Sequence, residues 1–156
     1  MASPQVLKDD GRPLTPEDIA KLPVLRLTPD GGVVKKILRA GEEGVVPPEG
    51  KMVRCHYVGR FPESQQIFDS SRRKGREFQF VLGASMVIAG WDIGVASMKR
   101  GELSILTCTS QYAYGPTGAG GVIPPNATLE FELELIGFDG EPGGGAPKET
   151  SKCVVA

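Results

Sequence analysis

A chain of 156 residues with 40% hydrophobic and 24% charged side chains holds enough apolar material for one independent core, with length left over for extensions. Its 18 basic and 19 acidic residues leave a net charge of −1, which excludes the broad basic face of a duplex nucleic-acid binder, so no nucleic-acid partner is expected. Cys55, Cys108 and Cys153 form no CxxC pair and His56 is the single histidine, which excludes a disulfide scaffold, a zinc ribbon and an imidazole-built metal site; no metal and no cofactor is expected.

Residues 1–31 carry five prolines and few large apolar side chains, and read as an extended arm. Within it, Thr15-Pro16-Glu17-Asp18 has the makings of a short helix: Thr at the N-cap, Pro at the first helical position and acids in the first turn. Pro23 stops whatever begins there. Lys8, Asp9, Asp10 and Arg12 leave no apolar run for a secretory leader, and no stretch reaches the ~18 apolar residues of a membrane helix.

Asp30-Gly31-Gly32 is turn chemistry, and a β-rich run, Val33 to Leu38, follows it. Residues 40–50 read as loop. From Met52 to Phe61 the pattern alternates, with Val53, Cys55 and Tyr57 on the core face and Arg54 and His56 on the other. A connection then ends in Ile67-Phe68-Asp69-Ser70-Ser71, and the basic cluster Arg72, Arg73, Lys74 and Arg76 reads as a solvated loop. Phe78, Phe80 and Leu82 alternate again.

Ile88, Trp91, Val95 and Met98 recur at a helical spacing, and Lys99, Arg100 and Gly101 predict a cationic last turn with a left-handed cap. Gly90 and Gly94 each cost about 1 kcal/mol relative to Ala, so this helix depends on tertiary packing. Leu103, Ile105 and Thr107 alternate as a further strand. The clearest strand comes last: Leu129, Phe131, Leu133 and Leu135 face the core, and Glu130, Glu132 and Glu134 face water. The sum is an α+β domain over residues 32–138, an antiparallel sheet of five to six strands with one short helix. Residues 139–156 have the composition of a flexible tail.

Conventional catalytic sets are missing. There is no GxSxG, and a nucleophile–histidine relay could be built only around His56, whose place in its strand is that of a sheet-face histidine. The spacing of Glu130, Glu132 and Glu134 is what any half-exposed strand gives. The Gly-rich run from Gly115 to Gly121 lacks the Lys-Ser/Thr of a phosphate loop. What stands out is apolar side chains beside loops: Phe68 before Asp69, Val87 and Ile88 before the sole tryptophan Trp91, and Tyr112 and Tyr114 before a loop closing on Val122-Ile123-Pro124-Pro125. Together they suggest an apolar pocket with one carboxylate and one phenol.

Tyr57, Phe68-Asp69-Ser70-Ser71, Phe78, Val87-Ile88-x-Gly90-Trp91, Tyr112-x-Tyr114-Gly115 and Ile123-Pro124-Pro125-x-Ala127-Thr128-Leu129-x-Phe131 occur in order over residues 32–138. This series closely resembles the FKBP-type peptidyl-prolyl cis-trans isomerases, the immunophilins that bind tacrolimus and rapamycin. The resemblance implies a strongly twisted antiparallel sheet wrapped around one short helix, with the active pocket between them. It implies Trp91 as the pocket floor, Tyr57, Phe68, Phe78 and Phe131 as aromatic walls, and Val87, Ile88 and Ile123 as aliphatic ones. Asp69 and the Tyr114 hydroxyl would be its polar groups, and the Ile88 N–H a donor to a bound carbonyl. Ala119 and Val122 depart from the larger residues common in that loop.

The chemistry suits such a pocket. An X–Pro bond has cis and trans forms within about 0.5–1 kcal/mol, separated by a barrier of about 18–20 kcal/mol that is lost amide resonance. No proton need move and no covalent bond breaks, so the missing triad is no objection. The implied partners are proline-containing peptides or proteins and the macrolide inhibitors, with the enzyme assisting protein folding as a monomer. The competing class is an adaptor that keeps the pocket without catalysis. The final Cys153-Val154-Val155-Ala156 fits the C-a-a-X prenylation pattern, and Ala at the last position points to farnesyl. The expectation is a cytoplasmic enzyme with a fraction at membrane surfaces through a lipid on Cys153, since one chain gives only marginal binding.

Overall fold

The computed structural model describes residues 15–139, and a seven-stranded antiparallel sheet carries their fold. Its strands are β1 (Leu25–Arg26), β2 (Val33–Arg39), β3 (Met52–Arg60), β4 (Ile67–Ser70), β5 (Phe78–Val81), β6 (Leu103–Cys108) and β7 (Leu129–Phe138). They run in the order β1-β2-β6-β7-β3-β4, and β5 pairs with the first half of β3 while β4 pairs with the second. Three short helices, α1 (Pro16–Ala20), α2 (Ser71–Lys74) and α3 (Ala89–Ala96), and a 3-10 turn at Ser110–Tyr112 complete the described elements.

The α+β antiparallel reading stands, with more strands and short helices than the pattern alone reveals. Ile67–Ser70, taken as a connection, is β4. It is four residues long and half polar, too short to display an alternation. Leu25 and Arg26 in the arm are both exposed, so nothing apolar marks them, yet they pair with Lys35 and Val34 as β1. Thr28 fastens this edge: its hydroxyl accepts the Gly32 N–H at 3.0 Å and the Val33 N–H at 3.2 Å. Helix α1 forms where the capping signal lies. The Thr15 hydroxyl accepts the Asp18 N–H, and the Asp18 carboxylate accepts the Thr15 N–H at 2.9 Å.

Helix α3 ends earlier than its apolar spacing suggests. It stops at Ala96, because the Ser97 hydroxyl donates to the Gly94 carbonyl at 2.7 Å and the Glu102 carboxylate takes the Lys99 N–H at 3.1 Å. Met98 is buried beyond the helix. Gly101 (φ +86°) belongs to the turn into β6, where its N–H donates to the Leu135 carbonyl. Lys99 and Arg100 turn instead to Glu43 and Glu42.

Strand β6 forms where Leu103, Ile105 and Thr107 alternate, but these three do not make up its inward face. Leu106 lies opposite Phe131 and Cys108 opposite Leu129, so the inward set is Ser104, Leu106 and Cys108. Glycines in α3 explain why. A Cβ on Gly90 would stand 2.3 Å from the Cys108 sulfur, and one on Gly94 2.5 Å from a Leu106 methyl carbon. The two glycines cost helix propensity and gain close approach of α3 to the sheet.

The opposite face of β7 does not simply meet water. Arg60 pairs with Glu132 at 2.9 Å and with Glu130 at 3.7 Å, and Glu134 is held by both Arg39 and Arg72. Burial alone would raise the Glu134 pKa; the two arginines more than reverse that and lower it. His56, opposite Glu134, places its Nδ1 2.9 Å from the Ser71 hydroxyl, as befits a sheet-face histidine.

Candidate functional site

Because Gly90 and Gly94 let α3 press onto β6, Trp91 is driven down onto the sheet and left only 4% exposed. Three rings meet it edge-on: Tyr57 of β3 at 5.0 Å between centroids, Phe131 of β7 at 5.3 Å and Phe78 of β5 at 5.5 Å. Positive ring edges against a negative π-face make this arrangement favourable beyond the area it buries. Phe68 of β4 stands edge-on to Phe131 at 5.8 Å. Its approach depends on Gly59, where a Cβ would lie 2.7 Å from the Phe68 ring.

Val87 and Ile88 pack half-buried against the same core, and Ile123, 6% exposed, belongs to it. Ile88 is the extended residue before α3 (φ −61°, ψ 151°), and its N–H meets no backbone acceptor among the described residues. Ile123 is positioned by a narrow loop: the Ala119 N–H donates to the Ile123 carbonyl at 2.9 Å, and the Ile123 N–H donates to the Ala119 carbonyl at 3.0 Å.

The polar groups gather on one side. The Tyr57 hydroxyl donates to Asp69 at 2.6 Å, the Ser70 N–H donates to the other carboxylate oxygen at 2.8 Å, and the Lys74 ammonium lies 3.3 Å from it. Burial and then the Asp69 bond push the Tyr57 phenol far up. Burial, followed by the charge of Asp69, also raises Tyr114, whose side chain stays 42% exposed. Both phenols are neutral donors near neutral pH. Burial raises Cys108 to about 12 and Cys55 higher, so neither offers a thiolate. Among the described residues no group of three His, Cys, Asp or Glu side chains could hold a metal.

The structure thus brings Tyr57, Phe68, Phe78, Trp91 and Phe131 into one ring cluster, with Asp69 bonded to it and Tyr114 within its electrostatic reach. Val87, Ile88 and Ile123 pack on the same core. Cys153 lies outside the described residues. Two rings extend the cluster beyond the sequence-based set: Phe80, 5.9 Å from Trp91, and Phe61, 5.0 Å from Phe68. The alternation of Phe78 and Phe80 marks the latter only as core; a glycine inside an alternating strand, Gly59, is the signal that a ring crosses nearby.

An aromatic cluster with one carboxylate and neutral phenols beside it, and with both buried thiols held protonated, offers apolar contact and hydrogen bonds rather than a nucleophile. Residues 44–136 match the family model of the FKBP-type peptidyl-prolyl cis-trans isomerase, and the chain belongs to that family. It is 53% identical over 107 residues to FK506-binding protein 1 of Dictyostelium discoideum, covering 69% of this chain and 98% of that protein. Over 115 residues it is 48% identical to FK506-binding protein 59 of Drosophila melanogaster, covering 74% of this chain but 26% of that protein. The N-terminal domain of FKBP42 from Arabidopsis thaliana matches its fold with a TM-score of 0.69 at 33% identity, covering 75% of this chain and 92% of that one. The chain is a peptidyl-prolyl cis-trans isomerase of the FKBP type.

Proposed function

We propose that the pocket floored by Trp91 is where this isomerase accelerates rotation about X–Pro bonds, in the service of protein folding. The observation that carries this reading is the set of three rings, Tyr57, Phe78 and Phe131, standing edge-on around a buried indole. A planar amide owes its barrier to resonance that separates charge. A proline ring held between these walls, with Phe68, Val87 and Ile123 closing the sides, leaves water behind, and the less polar twisted amide is relatively favoured. That the Ile88 N–H has no backbone acceptor of its own among the described residues supports a role for it in holding a flanking carbonyl. Asp69 and the neutral Tyr114 phenol supply the remaining polar contacts.

The same cavity is the site for tacrolimus and rapamycin, a reading supported by relatives named for FK506 binding. The free, buried Cys55 and Cys108 support residence in a reducing compartment such as the cytoplasm. Titration with tacrolimus tests the site: binding saturates at one equivalent and abolishes isomerisation in parallel. Asp69→Ala leaves the Tyr57 hydroxyl without its charged acceptor and weakens binding by about tenfold, with the protein still folded. Inhibitor that binds without affecting isomerisation, or an Asp69→Ala protein with unchanged affinity, would place the active pocket elsewhere.

A further inference from the structure

Asp69 and Phe78 both belong to the candidate pocket, and the chain between them carries four cations, Arg72, Arg73, Lys74 and Arg76, in a protein of net charge −1. Read as a sequence, this is a solvated loop; the structure sorts the four cations into different roles. Arg72 turns to the outer face of the sheet and pairs with Glu134. Lys74 turns back to Asp69 and offsets its charge at 3.3 Å. Arg73 and Arg76 are exposed and pair with no carboxylate among the described residues, not even the adjacent Glu77. Elsewhere Arg39, Arg60 and Arg100 have each found a glutamate.

The backbone of the segment is tied by its own hydrogen bonds. The Ser70 hydroxyl caps α2 by accepting the Arg73 N–H at 3.2 Å. Gly75, left-handed at φ +75°, then closes the helix with its N–H on the Arg72 and Ser71 carbonyls, and the Arg76 N–H returns to the Ser71 carbonyl. Two arginines with no carboxylate partner among the described residues are therefore carried on a short hydrogen-bonded backbone bridge whose two ends are candidate pocket residues. An extended peptide advances about 3.3–3.6 Å per residue, so a side chain within about three residues of a bound proline lies within roughly one Debye length, about 10 Å at 0.1 M salt, of the pocket.

We infer that Arg73 and Arg76 are specificity-determining residues that make this isomerase prefer prolines flanked by acidic side chains. The inference rests on the pocket assigned above. Lys74 already offsets Asp69, and between residues 70 and 77 the one acidic side chain is Glu77. Each exposed ion pair amounts to a factor of about 1.4–5 in affinity, and both together to a preference of about three- to tenfold at low salt.

The experiment compares kcat/KM for Leu-Pro peptides that differ only in Glu or Gln at each of the three positions on either side of the dipeptide, at about 20 mM and about 300 mM salt. The expected result is a Glu-to-Gln ratio of about 3–10 at one or more positions at low salt, falling toward 1 at high salt. In R73Q/R76Q the ratio drops to about 1 while the Gln peptides are turned over as before. A ratio of 1 at every position in the unaltered protein, or one that survives in R73Q/R76Q, overturns the inference. Failure to catalyse any peptide would instead overturn the pocket reading beneath it. Saturable inhibition by a single-stranded oligonucleotide, lost in R73Q/R76Q and without any Glu preference, would assign the two arginines to nucleic acid.

Discussion

Trp91 and Asp30 show how single residues here are fixed by what touches them. The indole is enclosed by ring edges and its buried Nε1 has no hydrogen-bond partner among the described residues, a cost that aromatic burial offsets. Asp30 lies at the far end of β2, where its carboxylate accepts from the Thr28 hydroxyl at 2.7 Å, the Gly32 N–H at 2.9 Å and the Tyr112 hydroxyl at 2.9 Å. These bonds, Thr28's foremost, hold its pKa at about 2 against an ordinary 3.8. A carboxyl lowered in the folded state stabilises the protein fully above the unfolded value and loses that contribution as pH falls through the folded one. The melting temperature should therefore fall more steeply between about pH 4 and pH 2 in the unaltered protein than in Asp30→Asn. Parallel curves for the two proteins would show that the turn does not depend on the ionised carboxylate.

Among the elements, α3 is the one whose placement decides the site. Gly94→Ala gains up to about 1 kcal/mol of helix propensity, yet its new methyl group would stand 2.5 Å from Leu106 in a packed interface. Overpacking of this kind costs about 1–3 kcal/mol, so the expected net result is a lower urea midpoint with an unchanged slope. Leu106→Ala should absorb part of the loss in the double variant. A Gly94→Ala protein more stable than its parent would mean that α3 does not press on β6 as described. Much of this architecture is legible in the chain. Alternation marks the long strands β3 and β7, whose inner faces provide Tyr57 and Phe131, and the helical spacing of Trp91 and Val95 marks α3. Alternation fails where an element is too short to show a period, as at β4, or has no buried side chain, as at β1. On β6 both faces carry apolar residues, so only the glycines of α3 distinguish inside from outside. The end of α3 is set by Ser97 and Glu102, polar contacts that an apolar pattern does not record.

On the scale of the whole molecule, one curved antiparallel sheet separates two environments. The inner face holds α3 and the ring cluster; the outer face carries the Arg–Glu ladder of Arg39, Arg60 and Arg72 with the three glutamates of β7. The ladder's charges therefore stay off the inner face where the X–Pro bond would rotate. The ordered motifs make the family legible because their residues come from several separate elements, β3, β4, β5, α3 and β7 among them, and each group must appear in its own place along the chain. On the proposed reading, catalysis beside Trp91 needs a dry pocket and no proton transfer. Cis–trans exchange of an uncharged Leu-Pro peptide, followed by NMR from about pH 6 to pH 9, tests it most directly. Tyr57 and Tyr114 are both raised above the ordinary phenol value of 10 and remain protonated throughout that range. The predicted result is a strong acceleration with a flat pH profile. A bell-shaped profile, or exchange no faster than that of the peptide alone, would contradict it.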